Sequence, residues 1–256
     1  MHIAVLVKQV PDTEGVRINP KTREPDASGA GLLISLYDKN AVEAGVQLKA
    51  QAKGKVVAVS LGGDRLDETL REVLAMGADE AIALKGAQFQ GLDKLGKAKA
   101  LAGAVKATPE VKLVIAAEES ADSHTASTGP MVAELLGWPL LSYVFKIELK
   151  GETVRVERET DEGIEVLEAP LPAVVTVVES INEPRLPALM QILQAKNKPI
   201  KALAPQDVGA AGLAAHTQLV SNVAPESSRK REIVEAPDAE KAADWLVERL
   251  RKEGVI

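Results

Sequence analysis

Residues 56–77 read VVAVSLGGDRLDETLREVLAMG, and this stretch decides the fold class. It begins with β-branched and aliphatic residues over 56–60, a run typical of a strand buried on both faces. An amphipathic segment follows, with leucine or valine at helical spacing. Asp64 is predicted to cap its start and Gly77 to end it. The stretch therefore predicts a strand, a tight glycine turn and a helix.

The same alternation continues in both directions along the chain. Further buried strands are predicted at 3–7, 81–84, 111–117 and 173–178, and further helices from about residue 38, over 92–107 and over 125–136. A polar loop of about thirty residues separates the first strand from the first helix. Strands alternating with helices predict an α/β fold with a doubly wound, mostly parallel sheet.

The pattern changes after Pro139. Residues 143–149 and 153–159 alternate apolar and polar, which predicts an added antiparallel hairpin, and 164–168 predict a further strand. A short helix is predicted over 188–196 and an amphipathic helix over 239–251, separated by weakly periodic sequence over 199–237. We therefore expect a nucleotide-binding domain over 1–198, including an exposed loop at 182–189, and a C-terminal arm with a terminal helix over 199–256.

Composition excludes several classes of function. Aromatic residues make up 2% of the chain and the net charge is −6, so neither base stacking nor attraction to phosphate backbones is supported and no nucleic-acid partner is expected. The sequence has no cysteine and no apolar run of membrane-spanning length. We expect a cytoplasmic protein without membrane insertion.

Familiar catalytic motifs are also missing. The sequence has no Gly-rich dinucleotide fingerprint after its first strand, no P-loop and no nucleophile elbow. None of its three histidines lies at metal-ligand spacing from carboxylates. We predict no catalytic residues and no metal ligands.

One segment does carry a functional signal. Residues 118–129 read EESADSHTASTG, so five hydroxyl side chains cluster where a buried strand gives way to a helix. Ligands of open α/β sheets bind outside the carboxyl ends of the strands, where helix N-termini offer free N–H groups to a phosphate. Helix capping and turn formation explain the same hydroxyls equally well. The junction at 60–64 has the same position in its own strand–helix unit.

Several segments together resemble one family along nearly the whole chain. They are VKQVPD at 7–12, DKNAVEA at 38–44, AMGAD at 75–79, VERETDEGIEVL at 156–167, LPAVVT at 171–176 and NEPR at 182–185. The chain resembles the electron-transferring flavoprotein beta-subunit family on these segments. The resemblance implies a fold like that of adenine-nucleotide hydrolases, a structural AMP in the chain's own site and an FAD held mainly by an alpha subunit.

The resemblance also implies roles for individual residues. Thr13, Tyr37 and Glu159 match positions near the flavin, and Leu189 matches a leucine that docks into client dehydrogenases. The protein would then be an electron carrier, not an enzyme, passing electrons to a quinone oxidoreductase or another acceptor. The residues implied as AMP contacts are Leu6, Ser35, Leu36, Tyr37, Asp38, Leu61, Ala117, Glu118, Glu119, Ser120, Ala121, Asp122, Ser123, His124, Thr125, Ala126, Ser127 and Thr128.

Three alternatives stay open at this point. A bifurcating flavoprotein subunit would hold a second FAD in place of AMP. A universal-stress-like protein would bind or hydrolyse ATP on its own, and a purely structural α/β scaffold would bind neither. For Leu189, packing against the chain's own domain is the alternative to docking.

Overall fold

The computed structural model describes residues 1–226 and 231–256. Its strands are β1 (His2–Val7), β2 (Gln9–Pro11), β3 (Arg17–Ile18), β4 (Pro25–Asp26), β5 (Leu32–Ile34), β6 (Val56–Gly62), β7 (Glu80–Lys85), β8 (Val111–Ala117), β9 (Leu140–Lys150), β10 (Thr153–Thr160), β11 (Gly163–Pro170), β12 (Ala173–Val177) and β13 (Ile200–Ala202). Its α-helices are α1 (Leu36–Ala52), α2 (Leu66–Met76), α3 (Ala87–Gln90), α4 (Lys94–Lys106), α5 (Thr128–Leu136), α6 (Leu189–Ala195) and α7 (Ala239–Lys252).

The main sheet of the described residues has nine strands, in the order β11-β10-β9-β12-β8-β1-β6-β7-β13. Neighbouring strands pair in parallel from β9 through β12, β8, β1, β6 and β7 to β13, whereas β10 pairs antiparallel with both β9 and β11. The doubly wound α/β fold and the added antiparallel strands are therefore confirmed. No helix in the described ranges is long and apolar enough to cross a bilayer.

Helices cover both faces of the sheet because its central strands are apolar on both sides. Side chains of α1 and α2 pack in one core cluster with Ile3, Val5 and Ile115, and side chains of α4 and α5 pack in a second cluster with Leu6 and Val114. The core is almost wholly aliphatic, as the low aromatic content predicts. This packing of the sheet between two layers of helices fixes where the strands end and therefore where loops of different strands meet.

Two helix starts differ from the sequence prediction. The residue at the start of α2 is Arg65 and no side chain caps it, so Asp64 is not the N-cap. The reason is that β6 runs on to Gly62, which moves the turn and the helix start along the chain. Helix α5 begins at Thr128 instead of Thr125, because the φ angles of His124 (44°) and Ala126 (45°) cannot continue a helix.

The polar loop after β1 has structure of its own. Within it β2 pairs antiparallel with β5, and β3 pairs antiparallel with β4. The C-terminal region also differs from expectation at its start, because β13 pairs in parallel with β7 and extends the main sheet past Lys198. Residues 227–230 of the expected arm lie outside the described residues. The terminal helix α7 is confirmed, and none of its side chains is buried.

Candidate functional site

A cavity of about 470 Å³ opens at the carboxyl ends of β1, β6 and β8. Its volume falls within the range of small-ligand sites, roughly 300–1,000 Å³, and its position is where open α/β sheets bind ligands. Its lining residues among those implied as AMP contacts are Leu6, Asp38, Leu61, Ala117, Glu118, Glu119, Ser120, Ser123, Thr125, Ala126, Ser127 and Thr128. The structure thus brings most of the expected contacts to one cavity.

Six of the implied contacts lie outside that lining. Ser35 is fully buried beneath the loop, where its Oγ accepts a hydrogen bond of 3.2 Å from the backbone N–H of Ala121. The other residues outside the lining are Leu36, Tyr37, Ala121, Asp122 and His124. Ser35 therefore supports the loop from below and does not face the cavity.

The N-terminus of α5 forms one wall of the cavity. Its first N–H groups, at Thr128 and Gly129, have no carbonyl partner within the helix, and Pro130 has no N–H to satisfy. A Cβ at Gly129 would lie 2.3 Å from Cγ2 of Thr176, so glycine allows the helix start to approach strand β12 closely. The hydroxyls of Ser127 and Thr125 flank this helix end, 3.2 Å apart. The wall therefore offers amides, hydroxyls and the positive end of a helix dipole to an anion.

Lysines also lie at the cavity, and the sequence analysis does not single them out. Lys8, at the end of β1, donates hydrogen bonds from Nζ to both carboxylate oxygens of Asp122, at 2.6 and 2.7 Å. Lys94 and Lys97 also line the cavity, one turn apart on α4. No carboxylate within residues 1–226 and 231–256 pairs with either of them. Their i, i+3 spacing on a helix beside the site was the available signal.

Asp38 is the most deeply buried titratable group at the site. Its side chain is 6% exposed, and its Oδ2 accepts a hydrogen bond of 2.7 Å from the backbone N–H of Lys8. Burial raises the pKa of Asp38 to about 8, against the opposing effects of that hydrogen bond and of the Lys8 charge. A buried carboxyl at the cavity therefore carries a proton over most of the physiological range.

Two carboxylates of the loop, Glu119 and Asp122, have local partners. Glu119 lies 2.7 Å from Nδ1 of His124, and this hydrogen bond raises the pKa of His124. Burial raises the pKa of Asp122, but hydrogen bonds from Lys8 and Ser120 outweigh it and leave the pKa lowered. The ring of His124 also packs edge-on against Tyr37, with centroids 5.9 Å apart. Much of the loop's negative charge is thus compensated before any ligand enters.

The residues implied to lie near the flavin are spread over the surface. Tyr37 lies beside the loop through its contact with His124. Thr13 is exposed in a short 3₁₀ turn capped by Asp12, and Glu159 is exposed near the end of β10. Neither Thr13 nor Glu159 lines the cavity.

The loop over 182–189 is anchored firmly to α1. The Asn40 amide donates to the carbonyl oxygens of Glu179 and Asn182, at 2.9 and 2.8 Å. Arg185 donates to both carboxylate oxygens of the buried Glu43, at 2.6 and 2.8 Å. Because these are paired, charge-assisted contacts at a buried carboxylate, the loop has a defined shape.

Beyond its anchors the loop exposes apolar side chains. Leu189 is 71% exposed at the first position of α6, so packing of this residue against its own domain is excluded. Large apolar side chains exposed beside it are Leu186, Met190, Ile192 and Leu193. Exposed apolar side chains grouped in this way are typical of interaction surfaces.

Comparisons with known proteins place the chain in a family. A family model described as "Electron transfer flavoprotein domain" matches residues 26–208. "Electron transfer flavoprotein subunit beta" of Thermoanaerobacterium thermosaccharolyticum is 37% identical over 262 residues, covering all of both chains. "Caffeyl-CoA reductase-Etf complex subunit CarD" of Acetobacterium woodii is 34% identical over the same length, again with full coverage. "Protein FixA" of Azorhizobium caulinodans is 33% identical, covering 98% of this chain and 94% of its own.

The fold and the cavity define a doubly wound α/β protein with a ligand-sized site at the carboxyl ends of its strands. The matched residues and the full-length relatives narrow that class. The chain belongs to the electron transfer flavoprotein beta-subunit family, as the sequence resemblance predicts.

Proposed function

We propose that the protein is the beta subunit of a cytoplasmic, heterodimeric electron transfer flavoprotein. It binds AMP in its own cavity, helps to seat an FAD held mainly by the alpha subunit, and relays electrons from client dehydrogenases to a quinone oxidoreductase or another acceptor. The observation that carries the proposal is the hydroxyl-rich loop at the N-terminus of α5, which lines a ligand-sized cavity in a member of this family.

The cavity suits an adenosine monophosphate at both ends. Leu6, Leu61 and Leu101 line it with aliphatic surface, which favours a flat purine ring. The amides at the start of α5 and the hydroxyls of Ser123 and Ser127 suit a single phosphate. AMP in this role is structural, because it fills the cavity and pins loops of two different strands together.

FAD, when bound by the heterodimer, supplies the reversible electron chemistry. For this chain we propose a seating role at Tyr37, Thr13 and Glu159. Tyr37 has the best structural support, because its ring is fixed by His124 next to the cavity. The chain itself makes and breaks no bonds and acts as a carrier subunit, not as an enzyme.

Leu189 is proposed as the docking residue for the dehydrogenase. The Asn40 and Arg185 anchors hold the loop before any partner arrives, so docking costs little ordering entropy. Burial of one exposed leucine contributes about 1.5–3 kcal/mol, which suits a partner that must dissociate again.

The C-terminal region is proposed to wrap around the alpha subunit and pack against it. Helix α7 has no buried side chain, and Leu246 on it is 52% exposed. Val220, in the preceding arm, is 95% exposed. Apolar side chains left uncovered on an extended segment fit a large partner surface better than solvent.

One observation favours a second candidate, in which an FAD takes the place of AMP. Lys94 and Lys97, on α4, add positive charge to the cavity lining beyond what one phosphate bound at the start of α5 needs. Extraction of the bound nucleotide separates the two candidates. AMP supports the main proposal, FAD supports the second, and ATP with measurable turnover supports the universal-stress-like alternative.

Co-expression with the alpha subunit tests the proposed function as a whole. We expect the two chains to elute together in size exclusion, with one FAD per heterodimer and absorbance that bleaches when a client dehydrogenase and its substrate are added. A chain that elutes alone and leaves the flavin of the alpha subunit unchanged contradicts the proposal.

A further inference from the structure

Lys8 connects two parts of the site that are far apart in sequence. Its Nζ contacts both carboxylate oxygens of Asp122, Oγ of Ser120 at 3.1 Å and Oγ of Ser123 at 3.4 Å. More than 110 positions separate Lys8 from these residues. The contacts therefore join the end of β1 to the loop after β8.

Two hydrogen bonds fix the main chain of Lys8. Its N–H donates to the buried Asp38, and its carbonyl oxygen accepts from the backbone N–H of Ser35 at 3.0 Å. Ser35 in turn bonds the backbone of Ala121 within the same loop. A lysine held at its main chain and donating at its ammonium has little freedom to leave the loop.

The hydrogen bonds also orient the hydroxyls of the loop. The Ser120 hydroxyl donates to Oδ1 of Asp122 at 2.7 Å, and Lys8 donates to the Oγ of Ser123. The Ser123 hydroxyl, whose Oγ also lies 3.0 Å from Oγ of Ser120, lines the cavity, so the contact with the ammonium holds it where a ligand would bind. Asp122 itself does not line the cavity, so the ammonium also holds that carboxylate aside.

We infer that Lys8 is a positioning and charge-compensating residue for the anionic end of the nucleotide site. It neutralises Asp122, a carboxylate that would otherwise repel a phosphate, and it presents the Ser123 hydroxyl to the ligand. The inference rests on the proposed nucleotide function and deepens it, because it assigns selectivity for a charged nucleotide over a neutral nucleoside to a single side chain.

The test compares AMP and adenosine binding to the full-length chain after its bound nucleotide has been removed. Lys8→Met should weaken AMP binding by roughly tenfold, the order of magnitude of one lost charge-assisted hydrogen bond. The affinity for adenosine, which has no phosphate, should fall by less than about threefold in the same variant. Lys8→Arg should retain most of the AMP affinity, since it keeps the charge.

A second variant separates compensation from direct phosphate binding. Asp122→Asn should bind AMP at least as tightly as the wild type, and adding it to Lys8→Met should recover AMP affinity to within about threefold. Lys112→Met, which removes an exposed lysine paired with Glu152 at 3.2 Å, is the matched control and should change the affinity for neither AMP nor adenosine. Melting temperatures of all variants are measured alongside.

Several results would overturn the inference. Equal losses for AMP and adenosine in Lys8→Met would show a purely structural role, and failure of Asp122→Asn to rescue would show that Lys8 binds phosphate directly. AMP affinity in Lys8→Met equal to that of the wild type would overturn this inference alone. A wild-type chain that binds no adenine nucleotide would overturn the proposed function together with it.

Discussion

Replacing Asp38 by Asn isolates the effect of burying a carboxyl group at the start of α1. The Asp38 side chain is 6% exposed and accepts the N–H of Lys8 at 2.7 Å. Asparagine keeps an oxygen acceptor for that N–H and has no proton to gain or lose. The variant therefore removes the titration while preserving the shape of the site.

The raised pKa of Asp38 determines how the free energy of unfolding of the wild type depends on pH. Burial raises the pKa of Asp38 from an ordinary 3.8 to about 8, so between these values the folded chain holds a proton that the unfolded chain has released. The free energy of unfolding of the wild type therefore falls as pH rises, by up to about 1.4 kcal/mol per pH unit. At pH 7 the free energy of unfolding of Asp38→Asn should exceed that of the wild type by on the order of 4 kcal/mol, and below pH 4 the two values should be almost equal.

Urea unfolding followed by circular dichroism measures the free energy of unfolding of both proteins. The nucleotide-free proteins are compared from about pH 4.5 to about pH 8.5 at constant ionic strength. The difference between variant and wild type should grow through this window and level off above about pH 8. Asp64→Asn, at an exposed aspartate, is the matched control. Parallel pH curves for Asp38→Asn and the wild type would refute the reasoning.

Three further variants test other parts of the structure. Leu189→Ala should slow electron transfer from the dehydrogenase by roughly ten- to a hundredfold, because it removes about 1.5–3 kcal/mol of leucine burial at the docking contact. Its melting temperature should be unchanged, because the side chain is 71% exposed. A lower melting temperature with normal electron transfer would contradict docking. Gly129→Ala should destabilise the chain by about 1–3 kcal/mol and lower its nucleotide content, since its Cβ meets Thr176, whereas Gly29→Ala meets nothing within 4 Å and should be neutral. Truncation after Ala215 keeps β13 and removes α7, so the far-UV spectrum should lose only the helical signal of α7, while association with the alpha subunit weakens in size exclusion.

Most of the fold was accessible from sequence because its signals are local. Buried parallel strands are continuous aliphatic runs, and α2 shows its apolar stripe within eleven residues. The pairing of β2 with β5 leaves no local signal, because it joins two short strands that are separated by the polar residues 12–31. The start of α2 was misjudged because one strand ran two residues longer than its β-branched core suggests.

The site was predictable only in part for a related reason. The hydroxyl-rich loop is one continuous segment, so its composition stands out, and the structure places it at the cavity. Lys8 gains its role from Asp122, far along the chain, and Asp38 gains its raised pKa from packing around it. Neither effect leaves a trace in local sequence, since both depend on which strands become neighbours in the sheet.

The most direct test of the central claim is the identity of the nucleotide that the chain carries. The full-length protein is purified in its native state and denatured, and the released small molecules are identified by chromatography and mass spectrometry. We expect AMP in about a one-to-one ratio to the chain, with no FAD unless the alpha subunit is present. A chain that releases no adenine nucleotide, and takes up none when AMP is added, would contradict the account.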